Sequence, residues 1–188
     1  MKNLYLSLFI LLTLCLLLAC TENIDDELAL SRTVSKQLST QLKSRLTNAI
    51  QTAGPEGAIS VCNSEAISIA TVVSKNHDLE VGRTSLKIRN VKNQADSWET
   101  AQLDKFAMQT DTNVKLNTLE THEIVSENGK KIFRYMKAIP MQEPCLLCHG
   151  SSIAPTIEEK IKTLYPQDQA NGYELGEIRG AFSVKITL

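Results

Sequence analysis

The residues whose types and spacing could do chemistry are Cys145-Leu146-Leu147-Cys148-His149. Two thiols three positions apart, followed at once by an imidazole, is the spacing that c-type haem attachment requires. Each thiol can form a thioether to one vinyl group, and the adjacent histidine is then held under the iron as an axial ligand. The sequence contains five cysteines and three histidines among 188 residues. At that composition the pattern would arise by chance in roughly one chain in five hundred.

One axial position is left to account for. Cys62 is a thiol with no assignment in an oxidising compartment, where a free cysteine invites explanation. A buried core cysteine is one reading, and a second axial ligand opposite His149 is the other. Met108, Met136, Met141 and His122 compete for that place. A thiolate would donate charge to the iron and lower its reduction potential. A different class of site is Cys62, Cys145, Cys148 and His149 around a structural zinc ion. The adjacency of Cys148 and His149 makes an awkward bite for one tetrahedral ion. A thiol-disulfide role for Cys145 and Cys148 is weaker again, because no helix-forming run follows His149-Gly150 to depress a thiol pKa. No Ser-His-Asp set, paired acids or phosphate loop accompanies the motif, so the expectation is that the protein is not an enzyme.

The elements that must position these residues begin after an apolar leader. Lys2 precedes an almost unbroken apolar run from Leu4 to Cys20, which reads as an export signal. Its end, Leu17-Leu18-Ala19-Cys20, resembles a bacterial lipoprotein signal. That implies a signal peptide over 1–19, lipid on Cys20, a tether over 20–26 and a folded domain over 27–188. The expected location is the periplasmic side of the cell envelope, anchored to a membrane by lipid. A formal net charge of −1 and no long basic cluster give no reason to expect nucleic acid.

From Leu30 to Ile50 apolar residues recur every fourth position, which predicts a long helix. Gly54-Pro55 ends it, and a second helix follows to about Lys75, with Cys62 on its apolar face. Alternation over Leu79 to Asn90 predicts a strand with Arg83, Ser85, Lys87 and Arg89 on one side. Asp96 and Glu99 form a capping pair for a helix to about Met108. His122 to Ile139 reads as a hairpin turning at Asn128-Gly129. Thr156 with Glu159 caps a helix that Tyr165-Pro166 stops. Ile178 to Leu188 alternates as a half-buried strand closing the sheet. Together these make one α+β domain.

Several blocks also resemble one family. They are Val61-Cys62-Asn63, Gly82 to Asn90 with Asn93 and Trp98-Glu99, Cys145 to Gly150, Tyr165-Pro166 with Asp168, and Gly172-Tyr173 through Gly176 to Ala181. In this order they are similar to the DUF3365 or Tll0287-like haem-domain family, over roughly Leu28 to Leu188. The resemblance implies a PAS-like fold around one covalent haem c, bound by thioethers at Cys145 and Cys148. It implies His149 and Cys62 as the axial ligands. Arginine forks suit carboxylates, so Arg83 and Arg89 are candidates for holding the haem propionates. The expected function is low-potential electron transfer or redox sensing with a separate redox or signalling protein. The alternatives are an NO or CO sensor and a structural lipoprotein with the zinc site.

Overall fold

The computed structural model describes residues 24–109 and 115–188. The expected signal peptide, and Cys20 with its lipid, lie outside the described residues. The first element, α1 (Asp25–His77), is two helical halves that meet at Gly54 (φ 70°, ψ 179°). As expected, Gly54-Pro55 separates two helices, and the second folds back along the first, so that His77 bonds Gln37 and Arg45 bonds Glu65. Gly54 takes a backbone conformation closed to side-chain-bearing residues. Pro55 follows where its missing N–H costs nothing, at the start of the second half. Beyond α1, Asp78 caps the helix in the left-handed region (φ 52°, ψ 47°).

Four strands form one antiparallel sheet in the order β1-β4-β3-β2. They are β1 (Glu80–Thr84), β2 (Glu120–Glu127), β3 (Lys130–Pro140) and β4 (Ile178–Thr187). The hairpin turns at Asn128 (φ 53°) and Gly129 (φ 77°), as the Asn-Gly pair requires. Two expectations need correction. The strand expected over Leu79 to Asn90 ends at Thr84, because the chain folds back so that Ser85 bridges Gln94. The last strand does not close the sheet at an edge but lies between β1 and β3, covered on both faces.

The two faces carry different cores. On one, Val81, Phe133, Tyr135 and Val184 pack against Val34, Leu38 and Val73 of α1. On the other, Met136, Ala138 and Ala181 pack against Leu103 and Phe106 of α2 (Ser97–Ala107). Small residues at Ala181 and Ser183 let α2 approach that second face. The capping box expected for α2 is present, Asp96 accepting from the Glu99 N–H and Glu99 accepting from the Asp96 N–H. Arg134 is buried on this face (2% exposed) among Asp96, Glu99 and Glu127, with its guanidinium over the Trp98 ring at 4.5 Å. Its Nη2 lies 2.7 Å from Asp96 Oδ2 without the alignment of a hydrogen bond, so that contact is an ion pair.

Two short helices complete the fold. Residues Glu143–His149 form α3, and Pro155–Leu164 form α4. The cysteine motif is thus itself helical, started by Pro144 in the first turn. The cap expected at Thr156 is not formed. Ala154 occupies the N-cap without a side-chain hydrogen bond, Pro155 starts the helix, and the Thr156 hydroxyl donates to Glu56 Oε1 at 2.7 Å.

Candidate functional site

Cys62 lies one turn beyond Ile59 on the second half of α1, whose Ile59 packs on Ile157, Ile161 and Tyr165 of the α4 region. The α3 helix stands across from it, because Gly150 and Tyr173 are bridged and Met141 N–H donates to Glu177 carbonyl. The result is a cleft between α1, the end of the sheet and α3. Cys62, Cys145, Cys148 and His149 all line a cavity of about 160 Å³ there. Cys62 and Cys145 also line an adjoining cavity of about 790 Å³, between α1 and the sheet, with Arg83 and Arg179 common to both.

The geometry of His149 is specific. Its Nδ1 lies 2.7 Å from the Ala170 carbonyl. A carbonyl only accepts, so Nδ1 carries the proton and Nε2 is left as an acceptor, which Arg89 Nη1 approaches at 3.5 Å. This arrangement is the one by which metal-bound histidines fix their tautomer. Burial, and then the neighbouring cations Arg89 and Arg179, lower the His149 pKa to about 3, so the ring is neutral at physiological pH. Burial pushes the thiols of Cys62 and Cys148 up, and Arg83, Arg89 and Arg179 oppose this at Cys62.

Arg89 sits where the residues after α3 close over it. Its Nε and Nη2 fork onto the Asp168 carboxylate at 2.9 and 3.1 Å. Nη2 also donates to the carbonyls of Cys148 (2.6 Å) and Ala170 (3.0 Å), and Nη1 lies 3.5 Å from His149 Nε2. Arg89 therefore braces the C-terminal end of α3 and shares with His149 the carbonyl that orients the imidazole. Arg83 contributes to the cavity wall from β1. Lys87 places its ammonium over the Tyr173 ring at 4.7 Å.

The rival ligands are elsewhere. Met108 is 80% exposed, Met136 and Met141 are buried in separate clusters, and His122 is an exposed residue stacked on Phe133. None of the four lines either cavity. His77 bonds Gln37 at 2.9 Å. Among the described residues no three of His, Cys, Asp and Glu converge closely enough to hold a single metal ion. The four candidate residues instead line the walls of a cleft, an arrangement suited to a wide group. Sequence reasoning missed Arg179, Asp168 and Tyr173 as parts of this site. Their motif blocks were visible, but alternation along a strand says which face Arg179 takes and nothing about what that face meets.

The family model described as Tll0287-like matches residues 21–187. Among solved structures, the chain is similar to the crystal structure of the cyanobacterial heme-protein Tll0287. The TM-score is 0.65 and the identity 23%, over 87% of this chain and 96% of that one. No curated protein matches.

Proposed function

The chain belongs to the Tll0287-like family, and from that premise we propose that it is an exported, lipid-anchored cytochrome with one covalent haem c. The similar solved structure is described as a heme-protein, which supports the cofactor. The observation that carries the reading is His149, whose neutral ring holds its proton on Nδ1 against Ala170 and leaves Nε2 deprotonated, with only the long 3.5 Å contact from Arg89, beside two thiols at the attachment spacing.

In this reading Cys145 and Cys148 hold the group covalently and His149 ligates it from α3. Cys62 ligates it from α1, its thiol losing a proton that the metal and the nearby arginines offset. When bound, the haem supplies an iron that cycles between ferric and ferrous states. The protein's own part is orientation and exclusion of water. Arg89 and Asp168 fix the end of α3, Ala170 fixes the imidazole, and Ile59, Ile139 and Tyr165 form apolar walls. With His149 and Cys62 both given to the iron, the haem would serve low-potential electron transfer or redox sensing with a separate protein rather than catalysis.

A pyridine haemochrome spectrum of chain made with the cytochrome c maturation machinery tests the cofactor. One thioether-linked haem per chain is expected, and a colourless product overturns the reading. Cys62→Ala should then lose the low-spin thiolate features of the ferric spectrum. An unchanged spectrum would remove Cys62 from the ligand set. Anaerobic titration with NO separates a redox protein, whose thiolate stays bound, from a gas sensor in which it is displaced.

A further inference from the structure

The chain has six arginines, all among the described residues, and four are ion-paired. Arg32 pairs with Glu120, Arg45 with Glu65, Arg89 with Asp168, and Arg134 with Asp96, Glu99 and Glu127. Arg83 and Arg179 have no carboxylate partner among the described residues. Both line both cavities of the cleft. The Nε of Arg179 is buried and has no hydrogen-bond partner.

The backbone brings these two cations together deliberately. Arg83 faces Phe182 in the β1–β4 register, and Arg179 is three residues before Phe182 on the same strand. Ser85 Oγ donates to the Arg179 carbonyl at 2.7 Å, tying the end of β1 to the start of β4. Gly180 (φ 155°) passes so close to Thr84 that an added Cβ would collide with the Thr84 carbonyl. Both residues are half-buried. Two neighbouring guanidinium groups without a counter-charge disfavour one another, and an anion entering the cleft would relieve this. Arg89, expected from sequence to share this role with Arg83, is already committed to Asp168 and two carbonyls.

We propose that Arg83 and Arg179 form a carboxylate-binding subsite on the inner wall of the cleft, and that a propionate of the haem docks between them. The proposal rests on the haem reading above and adds which residues take the acidic edge of the group. Arginine forks bind carboxylates in this way, with charge-assisted hydrogen bonds about twice as strong as neutral ones. The direction of the Arg83 pKa agrees, being lowered by burial and then by Arg179.

The test compares the haem-free full chain with its Arg83→Gln/Arg179→Gln variant, using protohaem and its dimethyl ester as probes. The wild type should bind the free acid roughly tenfold or more tighter than the ester. The variant should fold, because it loses a like-charge pair, and should bind both probes alike. A wild type that does not discriminate, or a variant that still does, overturns the subsite. Thermal unfolding with inorganic phosphate is run beside it. Stabilisation of the wild type alone supports the subsite, and equal shifts in both chains overturn it. If neither porphyrin binds, the haem reading fails, and the phosphate comparison still decides for or against the arginine pair.

Discussion

The imidazole of His149, the proposed ligand, is held at its Nδ1 by one carbonyl, Ala170, the kind of contact that fixes the tautomer of ligating histidines. The same carbonyl accepts from Arg89, whose guanidinium is locked on the buried Asp168 carboxylate. Arg89→Met should leave Asp168 without its partner and cost about 3 kcal/mol or more, read as a shift in the urea midpoint. Arg89→Lys should recover part of this, since an ammonium keeps the charge and loses the fork. The depressed His149 pKa makes a second prediction for the haem-free chain. The unfolded imidazole takes a proton near its ordinary value of 6.5, and the folded one only near 3. Between those values the unfolded state binds more protons, so stability is complete above about pH 6.5 and falls as pH drops towards 3. The slope approaches about 1.4 kcal/mol per pH unit. Denaturant midpoints measured across that window should lose this slope in His149→Gln. At this scale the sequence was informative where chemistry depends on spacing, as with Cys145, Cys148 and His149. It was silent where chemistry depends on distant partners, as with Asp168 and Arg89, 79 positions apart.

Elements decide where those residues stand. Gly54 turns α1 back on itself, so that both halves pack against the same apolar face of the sheet and the second half also carries Cys62 to the cleft. Gly54→Ala imposes a side chain on a glycine-only conformation and should cost roughly 1–3 kcal/mol. In haem-loaded protein it should also weaken the thiolate signature of the ferric spectrum, which a purely global loss of stability would leave intact in the folded fraction. The capping box of α2, the Asn128-Gly129 turn and the stop at Tyr165-Pro166 were legible because each is a local rule satisfied by adjacent residues. The helix over Glu143–His149 was not, being too short for a hydrophobic period to show. Nor was the central place of β4. Its Ile178-to-Ile186 alternation is what one covered face produces, while its second face is covered through the small residues Ala181 and Ser183, which carry little apolar signal.

Across the whole molecule the sheet separates two tasks. The cleft belongs to the α1 side and the end of β4, and the buried Arg134 network belongs to the α2 side. Arg134→Met should destabilise the fold by about 3–5 kcal/mol, because Glu99 and Glu127 lose a buried partner. The absorption spectrum of the loaded protein should nevertheless be unchanged below the unfolding transition. The topology also imposes an order of events on biogenesis. The strand that joins β1 to the hairpin comes after the Cys145–His149 helix in the chain, so the sheet cannot zip up until residues 178–187 have been delivered. On the haem c reading, the thiols of Cys145 and Cys148 would be open to attachment until that strand arrives. A chain cut before Ile178 should accordingly have Cys145 and Cys148 alkylated rapidly by iodoacetamide, while the intact haem-free chain reacts slowly. Equal rates in the two chains would show that the placement of β4 does not govern access to these thiols.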